Sequence, residues 1–119
     1  MRLFRVRGRL KGPTGRNEDI ELLVDTGASL LVVPRSLAER LKLTAARLQP
    51  VRIAGERLEQ WPIAEVRLTL GDQNVITPCF IAPDGPALLG AVALESLFLT
   101  VDPVAKRLIP VDGFVAAGA

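Results

Sequence analysis

The sequence contains no histidine and no tyrosine, and only one cysteine and one tryptophan among 119 residues. Without histidine, Ser-His and Cys-His catalysis and the usual zinc ligand sets are excluded. A lone cysteine, Cys79, allows no internal disulfide and fits a reducing compartment. Neither a G-x-x-x-x-G-K-[ST] loop nor a G-x-G-x-x-G after a strand is present, so nucleotide binding has no support. No apolar run approaches the roughly 20 residues that a membrane-spanning helix needs. The opening residues, Met1-Arg2-Leu3-Phe4-Arg5-Val6-Arg7, alternate charged and apolar side chains, unlike the continuous apolar stretch of a signal peptide. The expectation is a cytoplasmic protein with no membrane partner, in which carboxylates must carry any proton chemistry.

What is present is an ordinary globular composition. Hydrophobic residues make up 49% and charged residues 24%, which excludes disorder and predicts one domain spanning residues 1–119. Residues 1–16 hold six of the 15 bases and no acid, so the basic charge is concentrated at one end. A basic segment of this kind can contact nucleic acid. Single-strand binders interleave aromatics with their bases, and only Phe4 is available here. The simpler reading is a solvated strand face, and nucleic acid is not expected as a partner.

Pro-Gly punctuation at short intervals (Gly12-Pro13-Thr14-Gly15, Gly71-Asp72, Pro83-Asp84-Gly85-Pro86, Asp102-Pro103) predicts many short strands. Phe4, Val6 and Leu10 lie on one face of a first strand over residues 3–10, opposite Arg5, Arg7 and Arg9. Residues 20–24 form a second. Pro34 opens a short helix over about residues 35–43, and residues 51–70 read as a hairpin with Gly55 near its tip. Further strands are predicted at about 75–82, 98–102 and 107–111, and a second short helix carries Ala91, Leu94 and Leu97. The class is all-β with one or two short helices.

One segment breaks this pattern. Asp25-Thr26-Gly27-Ala28-Ser29 stands between two apolar runs, Leu22-Leu23-Val24 and Leu30-Leu31-Val32-Val33. A surface-turn aspartate would have turn-type polar flanks, whereas a carboxylate framed by apolar strands needs a reason to be there. The other candidates, Asp84, Asp102 and Asp112, stand beside proline or glycine and read as turn chemistry. Cys79, on an alternating strand with nothing to activate it, reads as a buried small hydrophobe.

Leu23-Val24-Asp25-Thr26-Gly27-Ala28-Ser29, taken with Ala87-Leu88-Leu89-Gly90, resembles the retropepsin-like aspartic proteases, with a tail like that of bacterial and archaeal single-domain members. The resemblance implies a closed acid-protease barrel, one domain per chain, assembled as a two-fold homodimer. Such enzymes set two carboxylates on one water, one accepting its proton while the other donates to the scissile carbonyl oxygen. Only one Asp-Thr-Gly is present, so the second carboxylate must come from a second copy. The implied activity is an endopeptidase acting on extended peptides, with no cofactor and no metal. By the same resemblance Asp25 is catalytic, Thr26 and Gly27 support the loop, and Ala28, Ser29 and Gly55 meet substrate. Leu88, Leu89 and Gly90 are implied to pack beneath the loop. Trp61 reads as a core or dimer-contact residue. The alternative is a non-catalytic protein-binding module that keeps the retropepsin-like fold.

Overall fold

Alternation along residues 2–11 requires a partner that buries one face and leaves the other in water. A computed structural model describes residues 2–113 and 115 and supplies that partner. Strand β1 (Arg2–Lys11) pairs antiparallel with β2 (Asn17–Asp25), placing Val6 opposite Leu22 and Arg9 opposite Asp19. The inward residues Leu10, Leu22 and Val24 are fully buried. On the outer face, Arg5 Nε lies 3.0 Å from Glu21 and Arg9 Nε 2.7 Å from Asp19. The basic face is thus answered by cross-strand acids, and Arg9 holds the Asp19 carboxyl below its ordinary range.

The chain continues through β3 (Leu31–Pro34), α1 (Arg35–Arg40), β4 (Arg47–Ile53), β5 (Arg57–Leu70), β6 (Gln73–Ala82), β7 (Ala87–Leu89), α2 (Ala91–Ser96), β8 (Leu99–Asp102) and β9 (Arg107–Pro110). The main sheet runs β1-β2-β7-β3-β6-β5, and a further β1–β5 pairing closes it into a six-stranded barrel. Among the described residues β4 pairs with β5 alone and lies outside the closure, so the two project as a hairpin. Its tip, residues 54–56, carries Gly55 at φ +83° and Glu56 at φ +61°, a turn that favours glycine. Strands β8 and β9 pair with each other in a separate ribbon.

Both helices end earlier than the apolar spacing alone indicates. Lys42 adopts φ +58°, its N–H reaches Glu39 O at 3.1 Å, and Leu43 N reaches Ala38 O at 3.0 Å. This doubly bonded left-handed ending stops α1 at Arg40 although no glycine marks it. Phe98, at φ +53°, ends α2 in a similar way.

The barrel interior is one apolar cluster in which Leu31, Val33, Leu68 and Leu89 are fully buried. Cys79 lies in this cluster, and burial pushes its thiol from 9.0 up to about 12. No thiolate is available near neutral pH, so the side chain acts as a small hydrophobe. Native protein should react with a thiol reagent at least ~100-fold more slowly than urea-unfolded protein, because the thiolate is the reactive form. The folded pKa is raised, so this group's stability contribution is complete below pH 9.0 and lost as pH rises toward about 12. Denaturant titrations across that window should show a smaller alkaline loss for Cys79→Ala than for wild type.

Candidate active site

Two barrel strands consecutive in sequence, β2 and β3, set the frame of the Asp25 loop. Leu23 of β2 and Val32 of β3 both pair with Leu88, so the three-residue strand β7 sits between the two arms of the loop. Val24 before the loop and Leu31 after it are fully buried. The loop itself rises to the surface: Asp25 and Ala28 are half-buried, while Thr26, Gly27 and Ser29 are exposed. Apolar flanks therefore anchor this aspartate without enclosing it within the single chain.

Inside the loop, Asp25 Oδ1 accepts the Gly27 N–H at 3.0 Å and Asp25 O accepts the Ala28 N–H at 3.1 Å. A carboxylate that holds the backbone two residues on is a compact Asx turn. From below, Ala91 N donates to Ala28 O at 2.9 Å and Val92 N donates to Ser29 O at 3.0 Å. These are first-turn N–H groups of α2, which have no partner within their own helix. Helix and loop complete each other's hydrogen bonding.

Gly90 makes that approach possible. A Cβ at this position would lie 2.3 Å from Leu30 O and 2.7 Å from Ala28 O, closer than any side chain tolerates. The Ala87-Leu88-Leu89-Gly90 segment therefore combines two functions. Its three strand residues hold the arms of the loop, and its glycine lets α2 touch the loop.

A second apolar cluster, distinct from the barrel interior, lies beside the loop. Val32, Ile63, Phe80 and Ala82 form it, with Ala28 and Leu30 from the loop, Val51 and Trp61 from the hairpin, and Leu88 packed against it. Trp61 meets Phe80 edge-on, with ring centroids 6.0 Å apart and planes at 77°, and its Nε1 donates to Glu59 Oε1 at 2.9 Å. Trp61 is thus a packing residue, as its sequence position implies, but of the surface between hairpin and loop rather than of the main core. Gly55 stands apart at the hairpin tip.

Two other aspartates stabilise the fold. Asp84 Oδ1 accepts the Ser36 N–H at 2.9 Å, and this bond holds its carboxyl below the ordinary range. It caps the start of α1 across 48 residues of chain, so it does more than stabilise its own turn, and no local sequence signal announces this. Asp102 Oδ1 accepts the Val104 and Ala105 N–H groups, each at 3.1 Å, as turn chemistry requires.

Residues 6–93 match the model of the aspartyl protease family, and the chain belongs to that family. Its fold is retropepsin-like. The structure of EIAV protease complexed with the inhibitor HBY-793 is similar to it with a TM-score of 0.63 at 16% sequence identity, covering 90% of this chain and 92% of that one. No curated protein matches the chain significantly.

The contact beneath the loop makes one residue a sharp test. Gly90→Ala should destabilise the fold by about 1–3 kcal/mol, because the added methyl meets backbone oxygens that cannot rotate away. Urea unfolding monitored by circular dichroism measures this, and a change within about 0.5 kcal/mol would mean the contact is unimportant.

Proposed function

We propose that the chain is an aspartic endopeptidase that works as a symmetric homodimer, with Asp25 of each copy on either side of one water. The observation that carries this reading is the Asp25-Thr26-Gly27 loop itself. It is braced by α2 and Gly90 from below and stands beside an apolar surface shared with the projecting β4–β5 hairpin. Peptide hydrolysis by this route needs two carboxylates in contact, since one takes the water's proton while the other protonates the carbonyl oxygen. Asp19, Asp84 and Asp102 are engaged in an ion pair, a helix start and a turn. A second Asp25 is the carboxylate that two-fold symmetry provides.

In this reading Thr26 and Gly27 meet their symmetry mates, which suits their exposure in the single chain. Substrate lies extended between the loop and the hairpin, where backbone groups can add strand-like hydrogen bonds. Ala28, Ser29 and Gly55 are then its nearest loop and tip contacts. The β8–β9 ribbon offers a contact surface for the second copy. Leu99, Val101 and Leu108 pack inward, leaving Ile109, exposed Phe98 and exposed Val111 outward. A two-stranded ribbon is marginal on its own and gains from being covered.

Asp25→Asn should abolish cleavage of a peptide library while the dimer persists, and full activity in that variant would sink the assignment. Ile109→Glu should weaken dimerisation about tenfold or more in sedimentation experiments, with cleavage lost in proportion to dimer. An unchanged dimer would place the interface elsewhere.

A further inference from the structure

The two faces of the β4–β5 hairpin meet different surroundings. Register places Gln49 opposite Trp61, Val51 opposite Glu59 and Ile53 opposite Arg57, so these residues share one side. That side meets the apolar surface beside the Asp25 loop, because Val51 and Trp61 pack against Val32, Ile63, Phe80 and Ala82. The other side carries Leu48 and Leu58, which are 62% and 58% exposed. A carboxylate, Glu59, directly beside the packed Val51 and Trp61 is the unexpected feature.

The Glu59 carboxylate is anchored at one oxygen and open to exchange at the other. Trp61 Nε1 donates to Oε1 at 2.9 Å, and Trp61 is itself held by Phe80. At Oε2 the counter-charge is Arg57, 3.3 Å away, whose side chain is 70% exposed against 32% for Glu59. The anion is therefore fixed by the packed indole, while the cation reaches it from solvent. Another cation can take the place of Arg57 at Oε2, because the carboxylate keeps its bond from the Trp61 N–H and stays partly open to solvent.

We infer that Glu59 is a specificity-determining residue that selects substrates with a lysine or arginine side chain at the position beneath the hairpin. This rests on the reading of the site as one that takes an extended peptide. Side chains of such a peptide alternate, so residues two apart project to the same side. One apolar side chain enters the surface formed by Ala28, Leu30, Val32 and Phe80, and its same-side neighbour meets Glu59. Arg57 competes for the same oxygen and weakens the preference. The two residues therefore act with opposite sign, which a merely structural role would not produce.

The test uses a fluorogenic peptide library in which each position in turn is lysine, methionine or glutamate. Wild type should favour lysine over methionine at one position by about threefold or more in kcat/KM, the size expected of a part-exposed ion pair. Glu59→Gln keeps an oxygen for the Trp61 N–H and should remove that preference, whereas Arg57→Gln should increase it. A lysine preference that is absent in wild type, or unchanged in Glu59→Gln, overturns the inference while leaving proteolysis intact. Binding of the same labelled peptides to the Asp25→Asn dimer, read by anisotropy, decides the point independently of cleavage. Lysine-selective binding lost in Asp25→Asn/Glu59→Gln, alongside no cleavage by wild type, would uphold Glu59 and refute the peptidase reading. Equal binding of lysine and methionine peptides would overturn Glu59's role.

Discussion

Two backbone hydrogen bonds and one missing methyl group decide the shape of the Asp25 loop. Ala28 and Ser29 give their carbonyl oxygens to the first N–H groups of α2, and Gly90 allows the helix close enough to receive them. Each such bond adds only about 1 kcal/mol net. Together with the close packing at Gly90, the pair ties the loop to the start of α2. A loop that could otherwise sample many conformations is held in the one that folds its backbone around the Asp25 carboxylate.

This dependence reaches through the rest of the barrel. Gly90 is delivered by β7, and β7 is placed by pairing with both β2 and β3. The β2–β7 and β3–β6 pairings are parallel and join distant segments, whereas β1–β2, β4–β5, β5–β6 and β8–β9 are sequential antiparallel hairpins. Parallel neighbours need long crossovers and meet only after the intervening chain has been ordered. The hairpins can form from local information, but the loop acquires its shape only once β7 has docked. Local sequence thus supplies the strands, and the site is a property of the closed barrel.

That division explains what the residues disclose on their own. Strand alternation at Phe4, Val6 and Leu10 and the glycine turn at Gly55 act over a few residues, and both are legible in the sequence. The apolar frame of Asp25 is legible for the same reason. The segment 87–89 is too short for its strand character to show, since three apolar residues fit a helix or a strand equally well. The helix ends at Lys42 and Phe98 are hidden because lysine and phenylalanine take the left-handed conformation that usually advertises itself as glycine. Asp84 at the start of α1, and Glu59 beside Trp61 on the loop-facing side of the hairpin, depend on contacts or register that only the fold creates. The surface position of the loop tip is likewise invisible, because buried flanks say nothing of how far a turn projects.

The projection of that tip bears on how the proposed activity is controlled. This chain presents Thr26 and Gly27 to solvent and holds one Asp-Thr-Gly, so under the proposed mechanism it supplies one of the two carboxylates. If the second half is another copy, the folded chain is inactive until it associates, and activity follows dimer concentration by mass action. The loop needs no help from the partner to hold its shape, because α2 and Gly90 already brace it within the chain. Association then brings together two preformed halves, which spares it the entropy of ordering the loops. Under the proposed mechanism, rigidity beneath Asp25 and exposure above it serve the same end: the geometry is fixed in advance, and the meeting of two chains is the step left to regulate.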